Sequence, residues 1–418
     1  MKNILPILVI YGVVFSSCNK VNTETGHIAD AKFTQAHLSL SDSLINLPVS
    51  SHDSITTIKV PSDLDNPNYF VEFSKVIEDI EYVPLETTEG SIINSIESAM
   101  VYQDKIYILD MFGKSILVFY KNGDFIKRIG KSGKGPREYI APVAIDIDQV
   151  NQLLYILDDR ASKFLIFDLQ GNFVREEQVN YRLNDFEILN DSTYVVNTDT
   201  RTNFHLPAIA NHKLVFTDKK WKIFAKGLEY DATNTSGLSF SRSGLYKYKD
   251  QVVYNPTTSY QIFAVVEDGL DPKYFIDAGT AMLPKNFDYK LSIDDFLINY
   301  DNLESPFMYI NGPILETEDY LVTSLRHRHR NVHFFYSKRS GQLFFGKHYR
   351  FEPYKHTITP PIKGIDDSGK FYGYINAVQF KSEADFIERN NVGKIHPALK
   401  SIPAENNPIF VFYKLKSF

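Results

Sequence analysis

The sequence predicts an all-β fold in which one strand-rich unit repeats around a ring, and three observations carry that prediction. The first is a repeat. Residues 105–139 (KIYILDMFGKSILVFYKNGDFIKRIGKSGKGPREY) hold two apolar runs, an Asn-Gly-Asp turn, a third run and a glycine-rich corner. Much of this recurs over 153–175 (LLYILDDRASKFLIFDLQGNFVR). The copies align at an offset of 48 residues, with Tyr107 on Tyr155, Asp110 on Asp158, Phe119 on Phe167 and Gly123 on Gly171. The second is that runs 106–109 and 116–119 are apolar on both faces, as in a sheet covered on both sides and not in one with a wet face. The third is composition: 26 Tyr and 31 Phe against one Trp in 418 residues, an enrichment that suits strands.

Taken in order, the chain begins with an address. Met1-Lys2 is a short positive start, residues 4–15 are apolar, and Ser16-Ser17-Cys18 follows. That layout is a secretory signal, too short to cross a bilayer as an independent helix. The small residues before Cys18 resemble a bacterial lipobox, with Phe15 where Leu is usual. A signal peptide over 1–17 and a lipidated Cys18 follow, the acyl chains anchoring the protein at about 0.8 kcal/mol per buried CH₂. Cys18 is the only cysteine, which excludes an internal disulfide and a thiolate metal cluster. Residues 18–52 are polar and read as a tether; 53–418 form the folded body.

Within the body, 55–60 reads as a short strand, 73–80 has a roughly helical spacing, and 81–85 reads as a strand that Pro84 confines to an edge or an end. The units then follow. The first covers about 96–130 and the second about 143–179. The third has runs at 194–196 and 214–216, separated by an insertion over 198–212. The fourth has 252–254, 261–265 and 274–276, the fifth 320–322, 332–336 and 343–345, and the sixth 371–375 and 409–413. Six units at roughly 40–50 residues each predict a six-bladed β-propeller. The last run lacks a fourth strand. A closed ring leaves no open edge, so 80–85, or as second choice 55–60, is expected to pair with 409–413. Residues 292–300 and 383–390 read as short helices on one rim.

At this point the residues match a known family. The segments IEYVPLETTEGSIINSI (80–96), ILVFYKNGDFIKRIGKSGKGPREY (116–139) and QVVYNPTTSYQIF…DGLDPKYFIDAG (251–279) resemble the six-bladed β-propeller lipoproteins of Bacteroidetes, relatives of the NHL-repeat propellers. The resemblance covers residue 70 to the C-terminus. It implies the fold and an outer-membrane lipoprotein, with the leaflet open, and no reaction. Arg137 stands in the corner Gly-Pro-Arg-Glu-Tyr where the family more often has glycine.

The formal charge of −6 without a long basic run excludes nucleic acid as a partner. The glycine-rich 130–136 lacks Walker spacing and reads as a crossing between blades. His327, His329 and His333 in RHRHRNVH offer imidazoles to a divalent ion. On a strand His327 and His329 share one face, and Arg326, Arg328 and Arg330 the other, suited to an acidic glycan or a carboxylate. Because the cluster lies between two apolar runs of the fifth unit, a solvated or anion-attracting loop tip is the alternative. Asp110 and Asp158 recur at the end of an inner strand, near Asp146, Asp148 and Asp159. Such carboxylates can bind Ca²⁺ in a central channel, yet their repetition marks turn residues. Tyr102, Tyr139, Arg242, Tyr254 and Tyr260 flank inner strands and are expected at a pore mouth, where aromatic and arginine lining suits a sugar or peptide. The expected function is a membrane-anchored binding or scaffolding module for a glycan, peptide or envelope protein. The alternative is a hydrolase or lyase on a carbohydrate or lactone, with a Ca²⁺, Zn²⁺ or His/Asp site in the channel. Specificity is expected where units differ: Arg137, the 198–212 insertion, the rim helices and 326–333.

Overall fold

A computed structural model describes residues 33, 35–51, 55–61, 71–199, 201, 203–230, 244–284, 291–346, 349–350, 360–391, 395, 399–400 and 402–418. They form six antiparallel blades in sequence order around an axis. Blade 1 runs Ile96–Tyr102, Lys105–Asp110, Ser115–Tyr120 and Phe125–Ile129 from the axis outward; blade 2 repeats this over Pro142–Asp148, Leu153–Asp158, Lys163–Asp168 and Phe173–Gln178. The middle strands are sealed on both faces: Ile106, Tyr107, Ile108 and Leu109 are all buried, as are Leu154, Tyr155, Ile156 and Leu157. The cores between blades are aromatic, most densely between blades 2 and 3, where Trp221 stacks on Phe164 at 3.8 Å.

The ring closes as expected from its missing strand. Ile77–Pro84 pairs antiparallel with Ile409–Leu415, in a register running from Ile409 opposite Pro84 to Tyr413 opposite Ile80. Sixth-blade strands Ile362–Ile365 and Phe371–Ile375 complete that sheet. The helical spacing over 73–80 yields only the single turn Phe73–Val76 before the closing strand begins.

The tether expected over 18–52 is corrected within its described residues. Leu40–Asn46 is a strand pairing parallel with Ile223–Glu229, the outer strand of blade 3. Thr56–Lys59 does the same for Gly269–Asp277 of blade 4, and Val71–Glu72 pairs with Tyr349–Arg350 beyond blade 5. The N-terminal segment is therefore a strap across three consecutive blade rims. Its polar composition hid this, because an added edge strand is held by backbone hydrogen bonds and needs few apolar anchors. Phe33, stacked on His205 at 4.4 Å, with Leu40 and Leu44, supplies them.

Both rim helices are present. Ile293–Tyr300 starts at Ser292, whose hydroxyl accepts the Asp295 N–H at 3.1 Å; Ala377–Arg389 starts earlier than expected because Asn376 caps it through the Gln379 N–H at 2.8 Å. In an antiparallel blade, the connections between blades and between second and third strands share one face. Both helices, the 198–212 insertion and the glycine-rich corner belong to it. Among the described residues the opposite face carries short turns.

Candidate functional site

The ring encloses a cavity of about 440 Å³, walled by inner strands of all six blades and the turns that follow them. Tyr102, Gln149, Lys249 and Asp367 mark the short-turn face. The charged groups on its wall are Glu97, Asp146, Glu187, Lys247 and Lys363, one from each of blades 1, 2, 3, 4 and 6, with Asn311 from blade 5.

Three blades converge on one residue, Ile188. Asp146 of blade 2 accepts the Ile147 N–H at 2.7 Å and the Ile188 N–H of blade 3 at 3.2 Å. The Lys247 ammonium of blade 4 donates to the Ile188 carbonyl. Beside them Glu187 lines the bore, and its Oε2 accepts no hydrogen bond. Burial pushes the Asp146 carboxyl up to about 6, although Lys247 and the two backbone donors pull the other way. Burial, then the neighbouring Asp146, raises Glu187 well above the usual carboxylate range. Lys363 lines the bore and is solvent-exposed there, and the protein walls around it lower its ammonium pKa by desolvation. Burial, with Glu97 adding, raises the Tyr374 phenol, so it stays a neutral donor.

The rim of the cavity is fixed by polar contacts. Lys121 pairs with the buried Asp366 at 2.7 Å, and Asp367 accepts the Gln103 N–H at 3.2 Å. Tyr102 OH accepts from Gln152 at 2.8 Å. Tyr102 is thus at the mouth, as its position suggested.

The other expected residues lie elsewhere. Tyr139 is buried between blades 1 and 2, its hydroxyl donating to the Ile129 carbonyl at 3.0 Å. Tyr254 is buried near Asn197 and Asp199, and Tyr260 donates to the Met308 carbonyl while accepting the Leu283 N–H at 2.8 Å. These three are core residues, because the segments flanking inner strands turn into the inter-blade layers instead of toward the bore. Arg137 lies at φ 63°, its guanidinium 5.2 Å from the Phe173 ring centroid. Arg242 and Cys18 lie outside the described residues.

The 326–333 cluster is a hairpin with its tip at Arg328 and His329, as the loop alternative had it. Tyr320–His327 turns through Arg328 and His329, both at positive φ, into Arg330–Ser337, so the alternation of faces breaks at the turn. Buried Asp301, just past the helix Ile293–Tyr300, organises it. Asp301 accepts from Arg326 Nε at 2.9 Å and from the His329 N–H at 2.8 Å, and Tyr309 OH donates to it at 3.3 Å. Arg328 Nε donates to the Ser305 carbonyl at 3.0 Å. Arg330 is exposed, and His327 and His333 are buried on neighbouring strands. The hairpin clamps the insertion that carries the helix. Among the described residues no group of three His, Cys, Asp or Glu is placed to hold a metal ion.

The recurrent aspartates are turn residues, as their repetition implied. Asp110 accepts the N–H groups of Asn94, Ser95 and Gly113, and Asp158 those of Ile140, Ala141 and Ala161. Sequence reading missed Glu97, Glu187, Lys247 and Lys363. The signal available was a charged residue ahead of the first fully apolar run in units 1, 3, 4 and 6.

A family model described as a domain of unknown function, DUF4934, matches residues 55–414. Two solved structures are similar in fold. One is a Bacteroides fragilis protein described as exported: TM-score 0.70 at 16% identity, covering 87% of this chain and 100% of that one. The other is a member of the DUF4221 family from Bacteroides vulgatus: TM-score 0.49 at 13% identity, covering 82% of this chain and 98% of that one. No curated protein matches the sequence.

Proposed function

The chain belongs to the DUF4934 family, and we propose that it is an envelope-attached binding module that holds a small polar glycan or peptide in the central cavity. The observation that carries this is the cavity itself. About 440 Å³ falls within the roughly 300–1,000 Å³ of small-molecule sites, and every blade contributes a wall residue. Charged groups from five of the six blades face it. Attachment rests on Met1-Lys2, the apolar 4–15 and Cys18; among the described residues no helix is long and apolar enough to cross a membrane. Metabolic labelling with a palmitate analogue should mark the protein and fail on Cys18→Ala.

Calorimetric titration of glycan and peptide panels, with and without chelator, tests the module. A saturable ligand whose binding Glu187→Gln weakens supports it, and the chelator arm reads the divalent ion expected from the sequence. A hydrolase or lyase acting on a carbohydrate or lactone is the second reading, favoured by the raised carboxyls of Asp146 and Glu187 side by side. Turnover lost in both Asp146→Asn and Glu187→Gln would select it.

A further inference from the structure

The charges on the inner strands of the bore are sorted by sign around the ring. On the inner strands themselves, acids come from blades 1, 2 and 3 and lysines from blades 4 and 6; the turns at the mouth add Lys249 from blade 4 and Asp366 and Asp367 from blade 6. In a ring of six, blade 1 lies across the axis from blade 4, and blade 3 from blade 6. Glu97 therefore lies across from Lys247, and Glu187 across from Lys363. Lys247 is already occupied: it donates to the Ile188 carbonyl and offsets Asp146 and Glu187. Lys363 forms no hydrogen bond or ion pair with the described residues, and Glu187 Oε2 accepts no hydrogen bond. The two uncommitted charged groups thus stand on opposite walls of one cavity.

Glu187 Oε2 is buried without a partner, which is costly, and Lys363 is exposed to the cavity, so each can take a complementary charge from a ligand. A neutral sugar would leave both unmatched. A ligand with an ammonium at one end and a carboxylate at the other matches both. Resting on the binding-module reading above, we infer that the cavity takes a short free peptide, a di- or tripeptide with both termini unblocked, its ammonium at Glu187 and its carboxylate at Lys363. Tyr246 and Tyr374 on the wall supply aromatic surface for its side chains. The shifts of both wall groups toward their neutral forms agree, since a bound zwitterion would return each to its charged form.

The test is calorimetric titration of the purified protein with trialanine, N-acetyl-trialanine, trialanine amide and cellotriose. Trialanine is expected to bind, and capping either end to weaken binding about 10- to 100-fold, the loss of one charge-assisted hydrogen bond. Glu187→Gln should erase the penalty for acetylation and leave that for amidation; Lys363→Met should do the reverse. Trp221 fluorescence and circular dichroism establish that each variant is folded. If capped and free peptides bind alike, or cellotriose binds better than trialanine, the zwitterion inference fails and the binding module stands. If none of the four binds and the wider glycan and peptide panels also give no cavity ligand, both fail.

Discussion

Asp158→Ala separates architecture from chemistry among the carboxylates of this ring. Asp158 is fully buried, with Oδ2 2.6 Å from the Ile140 N–H nitrogen, and Oδ1 3.2 Å and 3.0 Å from those of Ala141 and Ala161. One side chain thus joins the entry of blade 2 to its second turn. Hydrogen bonds to a charged acceptor contribute about 1.5–3 kcal/mol each. Three that share one carboxylate, taken at the low end, give a loss of about 4 kcal/mol, a large part of the roughly 5–15 kcal/mol that holds a native protein. Asp158→Asn keeps an acceptor at Oδ1 but turns a donor toward Ile140, so about half that loss is expected. Urea denaturation followed by Trp221 fluorescence reads the change. The indole is buried against blade 2, stacked on Phe164, with Nε1 donating to Glu177 at 2.7 Å. Amide exchange at 140, 141 and 161 reads it locally, which matters if blades do not unfold together. An alanine variant within about 1 kcal/mol of the parent, with those three amides still protected, would refute the structural role.

Other outcomes follow from single sites. Gly130→Ala should cost about 2–4 kcal/mol by urea midpoint, because φ is +69° and a Cβ would lie 2.6 Å from the Tyr139 ring. Arg137→Gly should stay within about 1 kcal/mol of zero, since relief of a positive φ offsets the lost cation–π contact with Phe173. His212, whose pKa burial and then Lys226 lower to about 4, is held neutral in the folded state; unfolding lets it take a proton, so stability falls as pH drops from about 6.5 toward 4, and His212→Leu should flatten that slope. Asp146 has the opposite sign: raised from 3.8 to about 6, it favours the folded state only while protonated, so its contribution is lost as pH rises through that window, and Asp146→Asn should gain on the parent from about pH 4 to 6 in thermal melts.

Much of the ring was legible because blade-forming residues face the same demands in every unit. The 48-residue offset, the fully apolar second and third strands and the Asn-Gly turn all recur, and the missing last strand pointed to its partner across the chain. The strap was not legible, since Leu40–Asn46 reads LSDSLIN and its pairing is made by backbone groups that any sequence carries. The RHRHR run left strand and loop tip open, and the structure selects the tip: a two-residue turn at Arg328 and His329 reverses the chain between two strands. The cavity charges were hidden because Glu97, Glu187, Lys247 and Lys363 belong to four separate units, and only closure of the ring brings them to one bore.

That distribution has a physical cause. Ile108, Leu117, Ile156 and Leu165 lie on middle strands with protein on both faces, where a charge would bear an unpaired desolvation cost of several kcal/mol. The innermost strand alone has an edge on the bore, so a carboxylate or ammonium there keeps access to water or to a ligand. The outermost strand also has an edge, and on blades 3 and 4 the strap pairs with it. Stability is therefore drawn from the outer edge and the inter-blade cores. The inner edge is left as the region where side chains can change sign from blade to blade without unbuilding the sheet, and Glu97, Asp146, Glu187, Lys247 and Lys363 occupy it.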